Sequence, residues 1–209
     1  MVIVMRIRKI VLGQLGTNCY VLGERNAALV DPGADAGKIA AFLEKENIKI
    51  DKILVTHGHF DHVCALNELK KLTNAAVYMH KDDICMLGNM EKSLGFMTGE
   101  TPKECEVDFV LTGGEEIEVE GEIIKVMHTP GHSQGSVSFI GEGFVCSGDL
   151  IFRESIGRYD YGGGYCMEMA SVQKLLNAIE EDWAILPGHG PQTTKEYEKE
   201  NNPYLNNRE

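Results

Sequence analysis

The sequence predicts an α/β protein of four layers, two mixed β-sheets packed face to face with helices on the outside, on three observations. Strand-like segments come in two blocks, each closed by helical segments. Neither block alternates strand and helix from end to end, so a doubly wound parallel sheet fits poorly. The 209 residues, 43% of them hydrophobic, are enough for one sizeable core and too few for two ordinary domains, so 1–209 is expected to form a single domain.

The first block opens with "MRIRKIVL" and continues through "TNCYVLG" and "AALVDPG", β-rich pieces separated by Gly, Asn and Glu-Arg-Asn turn signals. "ADAGKIAAFLEKEN" places Ile39, Phe42 and Leu43 at helical spacing. "KILVT" is a short apolar strand running into a histidine cluster. Beyond it Val63, Leu66, Leu69 and Leu72 fall three apart, the stripe of one helix, and "AAVYMH" reads as a strand. Residues 80–105, rich in Met, Gly and Lys, read as short helices and loop. The second block holds "VDFVL", "EEIEVE", "EIIKVMH", "SVSFI" and "GFVCS". Glu115, Glu116, Glu118, Glu120 and Glu122 alternate along it and are expected to point outward. "MEMASVQKLLNAIEE" is a helix and "WAILPG" a strand. "TTKEYEKENN" is a last helix, with Thr193 and Glu196 spaced as a capping box.

The formal net charge of −12 repels phosphate backbones, which excludes free nucleic acid as a partner. No window approaches a membrane span. Arg6, Arg8 and Lys9 interrupt the apolar N-terminal stretch, which also lacks a small-residue cleavage site, so it does not read as a signal peptide. A cytoplasmic location without membrane contact is expected, and the oligomeric state stays open. Six cysteines (Cys19, Cys64, Cys85, Cys105, Cys146 and Cys166) form no C-x-x-C pair and are expected to be reduced and mostly buried.

"THGHFDH", residues 56–62, gathers three of the seven histidines. His57 and His59 would diverge on a helix, but on a loop after a strand they can converge on one ion. Asp61 and His62 start the next helix and diverge from each other, which suits a second ion. The distant residues repeat one design. "KILVTH" leads to His57, "IIKVMHTPGH" to His132, "FVCSGD" to Asp149 and "AILPGH" to His189. Each apolar strand ends in Thr, Ser, Pro or Gly and then delivers a metal-competent side chain. The simplest explanation is that the strand ends meet, with Gly and Pro allowing tight turns there. Five imidazoles and two carboxylates are too many for one catalytic ion, whereas two ions with one shared carboxylate use all seven. Imidazole with carboxylate suits two divalent ions, zinc first, with iron or manganese as alternatives. Asp31 in "LVDPG" either orients a ligand imidazole or makes an Asx-Pro turn. His128 stands behind the ligands or plays a structural part, the second favoured. His80 reads as a cap or surface residue.

In order, "THGHFDH", "HTPGH", "SGD" and "PGH" resemble the metal-binding motifs of the metallo-β-lactamase superfamily, whose fold is an αββα sandwich. The resemblance runs from about Cys19 to the C-terminus. It implies that His57, His59 and His132 hold a first ion, that Asp61, His62 and His189 hold a second, and that Asp149 bridges them. Within that superfamily "TNCYVLG", "LVDPG", "SIGRYDYGGG" and "NPYL" are similar to the glyoxalase II branch, the hydroxyacylglutathione hydrolases. Three departures stand out. The chain ends soon after His189, without the helical C-terminal domain that supplies much of the glutathione site in full-length glyoxalase II. Cys64 stands where Gly is common, and Tyr159 and Tyr161 stand where smaller or less aromatic residues are expected. Flavodiiron oxidases carry Glu at the place of His59, and secreted lactamases carry Cys at that of Asp149. The RNA-processing branch has insertions and a basic surface. Persulfide dioxygenases share the motif but use one iron, and a mononuclear iron persulfide dioxygenase stays open as the alternative.

The resemblance implies a binuclear hydrolase, with Asp61 and Asp149 serving catalysis beside a metal-bound hydroxide. A thiolate leaves with a pKa near 8.5 and needs little general-acid help, so a small thioester, or else an ester or lactone, is favoured over an amide. Arg158, Tyr159, Tyr161 and Tyr165 are candidate substrate contacts. Arg158 is more readily explained as bracing its loop against Asp160.

Overall fold

The computed structural model describes residues 5–206, so the first four residues of the apolar N-terminal stretch lie outside it. The first block forms one six-stranded sheet from β1 (Ile7–Leu12), β2 (Thr17–Leu22), β3 (Asn26–Val30), β4 (Lys49–Leu54), β5 (Ala76–His80) and β6 (Phe109–Leu111), in that spatial order. β1 to β3 pair antiparallel and β3 to β6 parallel, so the sheet is mixed. The parallel part is reached through α1 (Ala36–Glu46), then α2 (Phe60–Val63) and α3 (Leu66–Thr73). The second sheet holds β7 (Glu116–Val119), β8 (Glu122–His128), β9 (Val137–Gly141), β10 (Phe144–Gly148), β13 (Ala184–Pro187) and β14 (Thr193–Thr194). Between β10 and β13 lie a hairpin, β11 (Ile151–Phe152) with β12 (Ser155–Ile156), and α4 (Tyr165–Ala178). α5 (Lys195–Asn201) closes the chain's helices.

Strand alternation sorts the apolar side chains into three buried layers. Ala28, Val30 and Leu54 of the first sheet meet Val126, Phe139 and Cys146 of the second. Leu29, Ile53 and Val77 face the other way, onto Ile39 and Leu43 of α1 and Leu66 and Leu69 of α3. Ile140, Val145 and Ile185 pack on Val172, Leu175 and Leu176 of α4. Helix, sheet, sheet and helix are the four layers expected.

Several local readings need correction. The stripe after the histidine cluster is two helices, and Leu72 is 60% exposed. Within α3, Leu72 lies six residues beyond Leu66, about 120° short of two full turns, which carries it off the face on which Leu66 and Leu69 are buried. The last helix begins later than the capping box supposed: Thr193 is in β14, and Thr194 Oγ accepts from Tyr197 N at 3.2 Å. The strand pairing of β13 with β14 takes Thr193 away from the helix. The thiols are less buried than expected, for only Cys19 and Cys146 are in the core while Cys85 and Cys166 are exposed. Those two sit on a 3-10 turn and in the first turn of α4, where one side faces solvent. His80 is buried at the end of β5, against both the surface and the capping reading, and its Nδ1 accepts from Asp82 N at 3.3 Å within the turn that follows.

Candidate metal centre

The ends of β4, β8, β10 and β13 lie on one edge of the sandwich. The loops leaving them carry His57 and His59, His132, Asp149 and His189. α2 adds Asp61 and His62. Their ligand atoms fall into three overlapping groups, His57–His59–His132, His57–His62–Asp149 and Asp61–His62–His189, in each of which they lie within 4.8 Å of one another. All seven side chains named from the sequence are thus brought together.

The partners of each ring show which nitrogen is free, because a carbonyl or carboxylate can only accept. His132 Nδ1 donates to the Arg158 carbonyl at 2.7 Å, and His189 Nδ1 to the Leu15 carbonyl at 3.3 Å. His62 Nδ1 donates to Asp31 Oδ2 at 2.9 Å. Thr56 Oγ donates to the same Asp31 oxygen at 2.6 Å, which leaves it to accept from His57 Nδ1 at 3.1 Å. With the ring neutral, as a metal ligand must be, Nε2 is the lone-pair nitrogen in all four. His59 presents Nδ1 instead, 2.8 Å from His132 Nε2. Buried His57 Nε2, His62 Nε2 and Asp149 Oδ1 have no hydrogen-bond partner. Three orphaned buried donor atoms facing a common space fit divalent ions, and nitrogen with carboxylate oxygen is a suitable donor set.

The charges divide the cluster in two. Burial, reinforced by the neighbouring imidazoles, lowers the pKa of His57 and takes His59 to about 3, so these rings are neutral and ready to ligate. In the other half, burial opposes charge but the partners prevail. Asp149 and Asp61 raise His189 to about 9 and also raise His62, while those imidazoles hold Asp61 at about 2 and lower Asp149. Asp149 faces both halves: Oδ1 lies 3.3 Å from His62 Nε2, and Oδ2 lies 3.6 Å from His132 Nε2 and 3.4 Å from His189 Nε2.

Of the residues singled out behind the ligands, Asp31 has left-handed backbone (φ 52°), as a turn residue would, and also accepts from His62 and Thr56. The contacts match the ligand-orienting reading and not the Asx turn, for both carboxylate oxygens go to Thr56 and His62 and neither to the backbone after Pro32. His128 lies outside the cluster, stacked on His80 with centroids 4.2 Å apart and rings 11° from parallel. Those two rings and Asp82 form a fourth group of candidate ligands. Nearly parallel stacked rings direct their in-plane lone pairs side by side, so they cannot converge on an ion at bonding distance. The loop 157–164 abuts the site through the Arg158 carbonyl. The Arg158 side chain is held by Asp160 at 2.6 and 3.1 Å and lies over the Tyr161 ring, the bracing arrangement. Tyr159 packs edge-on against Tyr165, while Tyr161 and Tyr165 are exposed. Cys64 is half buried beside α2. A hollow of about 1000 Å³ opens along β8 between Thr112 and Trp183 and contains none of the seven, so volume does not mark the chemistry here.

Sequence reasoning missed the supports. Thr17 Oγ donates to Asp61 Oδ2 at 2.8 Å. Asn18 donates to the Pro187 and Gly190 carbonyls, both at 2.9 Å, and Tyr20 Oη to that of Pro187 at 2.7 Å, which clamps the loop carrying His189. The signal was a Thr-Asn pair in a strand whose every residue is buried. Glu168 in α4 is buried with both carboxylate oxygens unpartnered. Burial, with Asp149 adding to it, raises its pKa to about 8.

The family model of the metallo-β-lactamase superfamily matches residues 12–189. The probable metallo-hydrolase YqgX of Bacillus subtilis is 32% identical over 97% of this chain and 98% of its own. The hydroxyacylglutathione hydrolase GloC of Haemophilus influenzae is 30% identical over 91% of this chain and 93% of its own. Among solved structures, the BLEG-1 B3 metallo-β-lactamase superposes with a TM-score of 0.91 at 34% identity, over 96% of this chain and all (100%) of that one. TTHA1623 in a di-iron-bound form gives 0.84 at 33% identity, over 95% of this chain and 100% of that one. Fold, ligand-competent cluster and these likenesses agree, and the chain belongs to the metallo-β-lactamase superfamily.

Proposed function

We propose that the protein is a binuclear metal-dependent hydrolase of small thioesters. The observation that carries this reading is the convergence of seven ligand-competent side chains in which His57 Nε2, His62 Nε2 and Asp149 Oδ1 are buried without a partner. His57, His59 and His132 would hold one ion, Asp61, His62 and His189 the other, with Asp149 shared. Zinc is the first choice and iron the alternative, in keeping with the di-iron form of one structural relative. Ions bound there supply a water acidified towards neutral pH and an electrophile for the carbonyl oxygen.

The chain's own residues hold that arrangement rigid. Asp31 fixes the His62 ring, the Arg158 carbonyl fixes His132, and Thr17 fixes Asp61. With all five imidazoles of the cluster serving as ligands, none among the described residues is left over as a proton donor; four of them are also held at Nδ1 by a neighbour. A thiolate leaves without one, and an amine does not. Thioesters are therefore favoured, with esters and lactones next. Tyr159, Tyr161 and Tyr165 would contact the substrate, with Arg158 holding their loop.

The test is turnover of acyl thioesters of glutathione, coenzyme A and simple thiols, alongside lactones, a β-lactam and a persulfide with oxygen uptake followed. The reading predicts thioesters to be preferred by at least tenfold in kcat/KM. The likeness to a lactamase puts the β-lactam on the panel. Preferred β-lactam turnover, or oxygen uptake with one iron per chain, would replace it.

A further inference from the structure

Asp83 lies outside the seven, between β5 and the 3-10 turn Ile84–Met86. It is completely buried, and its three hydrogen-bond donors are all uncharged. Gly58 N donates to Oδ2 at 2.9 Å, Ser133 Oγ to the same oxygen at 2.6 Å, and Gly135 N to Oδ1 at 2.7 Å. Gly58 is the residue between His57 and His59, and Ser133 follows His132. One carboxylate therefore ties together the two loops that carry the three-imidazole set, one leaving the first sheet after β4 and the other joining β8 to β9 in the second. The approach is close: a Cβ on Gly135 would lie 2.7 Å from Asp83 Cγ and Oδ1. Ser136 Oγ, 2.7 Å from Ser133 Oγ, completes the turn.

The two halves of the centre differ in what they need from their surroundings. The Asp61–His62–His189 set contains a carboxylate of its own, whereas the His57–His59–His132 set consists of imidazoles and only shares Asp149. A buried acid costs stability unless its hydrogen bonds are satisfied, and here every one of its donors comes from a metal-bearing loop. Burial raises the pKa of Asp83, and the donors pull against that rise.

We propose that Asp83 is the positioning residue of the three-imidazole set, holding His57 and His59 in register with His132 across the two sheets and placing negative charge behind a set whose own members are all imidazoles. The inference rests on the reading that this set holds an ion. It specifies an unequal effect, since Asp83 is bonded to the segment before α2 and to the loop of His132, but to no residue of α2 itself or of the loop that carries His189.

Asp83→Asn keeps the size of the side chain and removes its charge. Whichever way the amide is turned, its NH2 group faces either Gly135 N–H or the Gly58 N–H and Ser133 hydroxyl pair, so a donor meets a donor. Cobalt(II) titration of the metal-free chain, followed by its absorption spectrum, reads the two sites. His59→Ala and His189→Ala serve as references for loss of the first and second. Asp83→Asn should weaken the transition lost in His59→Ala by roughly 10–100-fold, the range for groups that orient ligands, and leave the transition lost in His189→Ala unchanged. Ser133→Ala removes one donor, should move the same transition by less, and carries the test if Asp83→Asn does not fold. Equal weakening of both transitions, or of neither, overturns the inference while the metal reading stands. A wild-type chain that binds no cobalt overturns both.

Discussion

Asp149 presents one oxygen to His62 and the other to His132 and His189, so it alone among the carboxylates faces both halves of the centre. Asp149→Ala is predicted to lower thioesterase turnover at least 100-fold and to reduce bound metal below two equivalents, as read by kinetics and metal analysis of one sample. Asp31 acts one bond further out. Its Oδ2 receives both His62 Nδ1 and Thr56 Oγ, so Asp31→Asn frees the ring and should weaken the second ion about 10–100-fold, measured by chelator competition. Glu168 gives a pH signature. Its pKa is raised from 4.5 to about 8, so across that window the folded chain keeps a proton that the unfolded chain has released. Stability contributed by this group is therefore lost as pH rises from 4.5 towards 8. Glu168→Gln should match the wild type near pH 5 and exceed it by roughly 2 kcal/mol at pH 9 in thermal melts, a figure discounted from about 1.4 kcal/mol per pKa unit.

At the level of elements, the recurring pattern of an apolar strand followed by a tight turn and a ligand was legible because it depends on local chain chemistry alone. β4, β10 and β13 each end at such a turn, and so does the loop after β8. What escaped the reading depends on pairing and angle. Thr193 goes to a strand because β13 is there to receive it. Leu72 falls off its stripe because steps of three residues slowly rotate around a helix whose period is 3.6. The turns themselves are tightly bounded. A Cβ at position 188 would lie 2.1 Å from Asp149 Oδ1 and 2.6 Å from His62 Cε1. Gly188→Ala changes no ligand, yet it should cut metal content and turnover at least tenfold; normal values would show that the β13 turn is looser than described.

Over the whole molecule, sequence alone placed the two sheets, the helices outside them and the seven converging side chains. It did not yield Asn18, Tyr20, Asp83 or Glu168, because a buried polar group is recognised by what approaches it. The donors to Asp83 come from positions 58, 133 and 135, and the clamp of Asn18 reaches across to 187 and 190. Such partners meet only once the sandwich has closed. The same closure leaves one edge of the two sheets holding five imidazoles and two carboxylates. The measurement that bears most directly on this account is the metal content, per chain, of protein purified without added metal and then dialysed against zinc. Two equivalents are predicted, both retained on gel filtration. One equivalent or none at saturating zinc would contradict the shared binuclear centre.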